Sequence, residues 1–473
     1  MTTLTAPSPQ PSPQGWRELT RRPGPALALL IAYIALTTFA LFGLDRTSLW
    51  YPLMQIIFVP MFMFSPFLVV SAPIKTIYKV ILGGVLLLLL MPLLGIYNPS
   101  WLGLAIQICV FTGLALGLNI VVGFAGLLDL GYVAFFAVGA YAWGSLTSPA
   151  NTIFTVNGWS VSPGAFFVFL ILGAAAAALV GILLGLPVLR LRGDYLAIVT
   201  LGFGEMIRIV ARNFDAPLNL TNGAQGLHGI AAPPVPGFVI SFTASIGNTL
   251  GFRMENPNAV AQQLTFYVIG IVIIALIVII CRRLLDSPIG RAWTAIREDE
   301  VAALAMGVPL VKSKLMAFAM GAAFGGAIGV LYASKQTFID PDSFQLISSI
   351  MILAMVIVGG IGSIKGVMVG AMLIALLNLS MLTNLSLQIN GLKNADAVIP
   401  IVNFHFSDWP SELEPAKYGR LLFGLILVLM MIFRPAGLLP EKRRQMELTE
   451  RNEAVDEEPM IRDTPSGVPQ ERS

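Results

Sequence analysis

The sequence predicts an all-α fold: a polytopic transmembrane helix bundle of about 10–12 helices, some of them broken or re-entrant. Three observations predict it. Apolar residues make up 56% of the 473-residue chain and charged residues only 12%, with a mean hydropathy of +0.80, whereas soluble domains carry about one quarter charged residues. Residues 264–281 read LTFYVIGIVIIALIVIIC without a charge, close to the roughly 20 apolar residues that cross a bilayer. Similar runs recur throughout the chain, which a single buried core helix does not explain.

In chain order, apolar segments fall at about 26–44, 50–72, 77–97, 101–121, 129–148, 164–189, 195–212, 264–281, 314–333, 347–361, 367–387 and 420–433. The second contains Pro52, Pro60 and Pro66, and the seventh contains Glu205, Arg208 and Arg212. Both are expected to be broken, tilted or re-entrant. Residues 1–24, rich in Pro, Ser and Thr, and residues 441–473, polar and charged, are expected to be disordered tails. No cleavable signal pattern opens the chain. Between the tails, 25–100 read as an N-terminal extension of about three membrane segments, and 101–440 as the main transmembrane domain.

Loop charge sets the orientation. Basic residues gather in the N-terminal stretch (Arg17, Arg21, Arg22), the turn at Arg190 and Arg192, the linker 282–314 and the start of the C-terminal tail, while 149–163 carries no charge. Excess Lys and Arg marks the cytoplasmic side, so both termini are expected inside. Arg208 and Arg212 fit this scheme poorly.

Several chemistries are missing. The nearest approach to a phosphate loop, 359–365, has Ile364 where a glycine must precede Lys365. His228 and His405 are far apart in sequence and suggest no metal cluster, and no G-x-S-x-G elbow occurs. Cys109 and Cys281 lie in apolar segments and read as core residues. A net charge of +3 points to no nucleic-acid partner, and no cofactor is implied. The chain carries no ATPase or hydrolase apparatus of its own.

Three features remain. Glycine interrupts apolar segments at Gly117–Gly131, which includes Asn119, Gly123, Gly126 and Asp129, at Gly202 and Gly204 beside Glu205, and at Gly359, Gly360 and Gly362. Such glycines either let helices pack closely or break a helix and expose backbone along a cavity. These residues are the candidate lining of a translocation path, whereas the spacing of Gly321, Gly325 and Gly329 needs only close packing. Asp129 and Glu205 are ionisable residues near membrane depth, which commonly mark pathways. Arg208, three residues beyond Glu205, shares its helix face and can pair with it. Third, residues 288–306 read as one amphipathic helix. Ile296, Val301, Leu304 and Ala305 form its apolar face, Arg297, Glu298, Asp299 and Glu300 are polar, and Gly307 ends it. Such a helix between two spans suits docking of a cytoplasmic partner or lying on the membrane surface.

Five motifs carry a resemblance: GLNIVVGFAGLLDLGYVAFFAVGAY at 117–141, RLRGDYLAIVTLGFGE at 190–205, TNGAQG at 221–226, SPIGRAWTAIRE at 287–298 and VGGIGSIKG at 358–366. With them the chain resembles the LivM-type permeases of bacterial high-affinity branched-chain amino-acid ABC importers, over roughly residues 100–440. The segments before about residue 100 look like the extension of longer family members. The resemblance implies a multi-subunit importer in the inner membrane, with a homologous second permease subunit, two cytoplasmic ATPase subunits and a periplasmic substrate-binding protein. It implies alternating access and branched-chain amino acids as substrate. It places the coupling to the ATPases in 282–314, at Arg297, Glu298, Asp299, Glu300, Ala302, Ala303 and Gly307. This stretch departs from the general coupling-loop pattern: Val301 intervenes after Glu300, and no I-x-L-P tail follows.

Two other functions belong beside this one. Permeases of the same superfamily that carry urea or short amides are the alternative on substrate. An ion-coupled transporter, working through Asp129 or Glu205, is the alternative on energy source. A membrane enzyme or anchor finds no catalytic constellation. Charge reversal at Glu298 or Glu300 is expected to uncouple ATP hydrolysis from uptake without preventing membrane insertion, and parallel uptake and ATPase assays check it.

Overall fold

The computed structural model describes residues 23–43, 51–151, 161–188, 194–215, 219–249, 256–394, 398–399, 404–405, 410 and 413–439. Residues 1–22 and 441–473 of the expected tails and the Arg190–Arg192 turn lie outside these residues, while Pro23 and Gly24, assigned to the tail, open the first helix. The described chain is built almost wholly of helices. In order these are α1 (Pro23–Gly43), α2 (Tyr51–Met63), α3 (Ser65–Ser71) and α4 (Thr76–Val85). A π-helical turn, Leu86–Leu90, joins α4 to α5 (Met91–Tyr97). Then come α6 (Pro99–Asn119), ending in a π-turn at Ile120–Phe124, and α7 (Val133–Thr147). They are followed by α8 (Phe166–Val188), α9 (Asp194–Asn213), α10 (Gly237–Thr249) and α11 (Pro257–Asp286). Next stand α12 (Pro288–Glu298), α13 (Glu300–Ala305), α14 (Leu310–Gln336) and α15 (Leu346–Gly359). Last are α16 (Ile364–Ala375), running through a π-turn at Leu376–Leu382 into α17 (Thr383–Asn394), and α18 (Gly419–Phe433).

Among the described residues, nine helical stretches are long and apolar enough to cross a membrane, and α7 and α15 are shorter apolar helices. The seventh expected segment, α9, spans 20 residues but presents Glu205 and Arg208 at its side. The proline-rich second segment breaks between Met63 and Ser65, and Pro66 opens α3 at a position where its missing N–H costs nothing. Segment 129–148 begins later than its hydropathy suggests. Residues 125–132 are not helical, and α7 starts at Val133.

A densely packed centre is formed by α6, α7, α14 and α15, which carry most of the fully buried side chains, and α1, α8 and α18 form a largely exposed apolar exterior. The central helices touch backbone to backbone. A Cβ on Gly139 of α7 would lie 2.0 Å from the Gly326 carbonyl of α14, and one on Gly326 would lie 2.4 Å from the Gly173 carbonyl of α8. With little hydrophobic drive between helices in lipid, such close approach is what holds them together. At 1.5 Å per residue, the 27 residues of α14 cross about 40 Å, so its two ends mark opposite faces. At one end lies the 282–314 linker. At the other, β1 (Leu227–His228) pairs antiparallel with β2 (Phe338–Ile339), and the Ser148 hydroxyl donates to the His228 carbonyl at 2.6 Å. A second short pair, β3 (Val398–Ile399) and β4 (Phe404–His405), joins α17 to α18.

Gly326→Val forces α14 away from α8, and we expect a loss of about 1–3 kcal/mol, read as a lowered thermal midpoint in detergent. Gly202→Ala has open space around its Cβ and is expected to leave the midpoint unchanged or raise it.

Candidate functional site: the paired helix breaks and the linker helices

Two helix breaks meet inside the bundle. The first follows α6, where the π-turn ends and 125–132 run irregularly; the second, 360–363, separates α15 from α16. The Asn119 carboxamide joins them by accepting from the Gly362 N–H at 2.9 Å. Gly123 sits in that contact, since a Cβ there would lie 2.1 Å from Asn119 Oδ1 and 2.7 Å from the Gly362 nitrogen. Gly126 has φ +71° and Gly360 φ +118°, conformations that favour glycine.

A helix start at this depth leaves donors that water cannot reach, so side chains must accept them. Leu130 N–H donates to Thr200 Oγ1 on α9 at 3.1 Å, Gly131 N–H to Asp129 Oδ1 at 2.9 Å, and Val133 N–H to Ser349 Oγ on α15 at 3.0 Å. Two helices and the irregular segment itself therefore cooperate to start α7. Asp129 is 1% exposed, and one of its carboxylate oxygens serves as a cap. Its other oxygen, Oδ2, and Asn119 Nδ2 have no hydrogen-bond partner among the described residues. Buried polar atoms are rarely left unsatisfied, which sets these two apart from the rest of the break.

The second break is closed from the C-terminal side. Leu438 and Leu439 N–H groups donate to the Val358 and Gly359 carbonyls at 2.9 and 3.1 Å, satisfying acceptors freed where α15 ends. A Cβ on Gly437 would come within 2.4 Å of Gly360 Cα.

The linker attaches to the first break directly. Arg297, at the end of α12, donates from Nη1 to the Gly123 carbonyl at 2.7 Å, and its side chain covers Gly126. Trp293, fully buried, anchors α12 by donating to the Ser313 carbonyl at 2.7 Å. The single helix expected over 288–306 is in fact two, because the Asp299 carboxylate accepts from the N–H groups of Val301 and Ala302 at 2.8 and 3.0 Å and starts a new helix. Gly307, at φ +84°, ends α13 as expected. The expected apolar face also divides. Ile296 and Ala303 are buried, whereas Val301, Leu304 and Met306 are exposed with Ala302 and Ala305 beside them. Glu300 accepts from the buried Lys314 ammonium at 2.7 Å. Its charge therefore holds α13 on α14, and reversing it disturbs the fold; the exposed Glu298 is the cleaner position for charge reversal.

The Gly202–Gly204 cluster divides. Gly204 packs against Gly131, 3.1 Å from a Cβ built on it, while Gly202 faces open space. Glu205 and Arg208 pair as expected, with Arg208 Nε donating to Glu205 Oε1 at 2.9 Å. Arg208 also reaches Asp342 at 2.7 Å, at the end of the bundle away from the linker. Its positive charge, awkward for the loop-charge rule, is thus matched by two carboxylates. None of the expected path residues lines either of two cavities, one of about 350 Å³ between α7 and α9 and one of about 300 Å³ beside α11. Thr200, Ser349 and Lys314 were not foreseen as site residues. Thr200 stood within a quoted motif, while Ser349 and Lys314 have no local signal.

Glu300→Ala is expected to cost roughly 1–3 kcal/mol, less than for a fully buried pair because Glu300 is a third exposed. Adding Lys314→Met should restore most of the loss by removing the stranded charge, as urea unfolding of both variants would show.

The comparisons with known proteins agree on one family. The family described as the permease component of the branched-chain amino acid transport system matches residues 100–431. The chain is 38% identical to the high-affinity branched-chain amino acid transport system permease protein LivM of Escherichia coli K12, over 71% of this chain and 69% of that protein. The Salmonella typhimurium LivM is 36% identical, over 73% and 71%. A probable branched-chain amino acid transport permease protein LivM of Methanocaldococcus jannaschii is 26% identical, over 69% and 90%. No solved structure matches the chain. With its multi-pass apolar helices and the match over residues 100–431, this chain belongs to the family of branched-chain amino acid transport permease components.

Proposed function

We propose that this chain is one permease subunit of an ATP-driven importer of branched-chain amino acids in the bacterial inner membrane, with both termini in the cytoplasm. The observation that carries this reading is the linker. It presents an exposed apolar tip, Val301, Leu304 and Met306, on a short helix pinned by Asp299 and Lys314. The same linker reaches the interior through Arg297 and Gly123. An exposed apolar patch on a rigid polar element suits a protein partner. ATPase subunits that close on ATP would push this tip, and Arg297 would carry the push to the paired breaks. There Asn119, Gly123, Gly126 and Asp129 would re-arrange against Gly359, Gly360 and Gly362. In this scheme Arg297, Glu298, Asp299, Glu300, Ala302, Ala303 and Gly307 form the coupling element, residues 101–440 the permease domain, and residues 25–100 an accessory extension.

Pairing with a homologous second permease is supported by α9. Glu205 and Arg208 lie on its side with 38% and 20% of their side chains exposed, next to exposed Ile198, Ile209 and Val210. Charged groups are costly against lipid, so this face is suited to a partner subunit or an aqueous path between two subunits. A shared path also accounts for the expected path residues lining neither of the two cavities. A binding protein on the face opposite the linker would supply substrate, and its selectivity would decide the cargo.

In membrane vesicles holding all subunits, Leu304→Glu should abolish ATPase docking and uptake while leaving insertion intact. Arg297→Ala should retain docking and ATP hydrolysis but lose most uptake, and Glu298→Lys should weaken coupling. Measuring uptake and hydrolysis side by side separates these outcomes. Ion-driven uptake by the purified chain alone would overturn the reading.

A further inference from the structure

We propose that the cavity beside α11 holds an acyl chain of a bilayer phospholipid, which bridges the N-terminal extension to the rest of the bundle. The cavity measures about 300 Å³. Its walls come from both sides of residue 100: Met63, Leu87 and Met91 from the extension, and Cys109, Ile274 and Met372 from α6, α11 and α16. Among the described residues, none that lines it is charged. The hydroxyl of Tyr267, at its edge, is already committed to the Leu87 carbonyl at 3.0 Å.

The chemistry of that wall selects the occupant. Water needs two to four polar partners to stay in a cavity, and an apolar void of roughly 150 Å³ stays dry yet accepts a benzene-sized molecule. A void of about 300 Å³ with so little polarity is suited to a longer apolar group. The two helical walls continue outward as exposed apolar surface, Leu88 and Leu89 on one side and Val272 and Leu276 on the other. In a membrane-spanning bundle that surface meets lipid tails, and these are the abundant apolar chains at the mouth. Met63, Met91, Met368 and Met372 line the site. Unbranched thioether side chains adapt to a chain of variable conformation. The Tyr267 bond to the π-turn holds the extension's wall in place, so the seam closes at one point and stays open beside it. The inference rests on the membrane-spanning fold and does not depend on the importer reading.

The test uses native membrane vesicles containing the full chain with its subunits, supplemented with phosphatidylethanolamine bearing a diazirine in the distal half of one acyl chain. After illumination, adducts are mapped by peptide mass spectrometry. The expected result is adducts on Met91, Cys109 and Met372 in addition to exposed Val272 and Leu276. Filling the cavity with Cys109→Phe or Ala275→Phe should remove the Met91 and Met372 adducts and leave those on Val272 and Leu276, which also report an intact exterior. Adducts confined to the exterior of the unsubstituted protein would overturn the proposal. So would Met91 and Met372 adducts that persist in both filled variants.

Discussion

The structure depends on how it satisfies backbone groups where helices stop inside an apolar bundle. At membrane depth an unpaired N–H or C=O costs several kcal/mol, and two helix breaks meet there among the described residues. At the first break, donors are taken up by Thr200, Asp129 and Ser349 from three separate stretches of chain. At the second, Asn119 and the backbone of 438–439 complete the pairing. The packing of α6, α7, α9 and α15 follows from these bonds as much as from their apolar surfaces. The same bonds fix where the breaks can move, because a break can shift only if its partners shift with it.

The linker belongs to this arrangement. Its two helices are separated by one residue, Asp299, whose carboxylate starts the second helix. That break turns the apolar residues of α13 away from the bundle, while Trp293 keeps α12 against it. Arg297 lies at the junction, and its bond to a carbonyl in the π-turn ties the linker to the interior break. A π-turn has looser backbone bonding than an α-helix and is often placed at functional sites, which suits a point where motion enters the bundle.

The π-turns at Leu86–Leu90 and Leu376–Leu382 lie in helices that flank α6 on the side of the extension. There the packing loosens into an apolar cavity, in contrast to the glycine-tight contacts of α7, α8 and α14.

By itself the sequence determined the class and most of the segments, because the need for about 20 apolar residues per span leaves a signal in local composition. It also marked the breaks at Gly123–Gly131 and Gly359–Gly362, since glycine in an apolar run is a local feature, and the family, since the motifs at 117–141 and 287–298 are contiguous. Only the tertiary structure decided what those residues do. Asp129 caps the Gly131 N–H two residues on, but its burial and the pairing of Glu300 with Lys314 have no signal within a few residues of either. Ser349 caps a helix start 216 positions away. Gly202 and Gly204 look alike in sequence, yet one faces open space and the other packs on Gly131. The physical reason is that apolar burial is written residue by residue along the chain, whereas a buried polar group finds its partner across the fold.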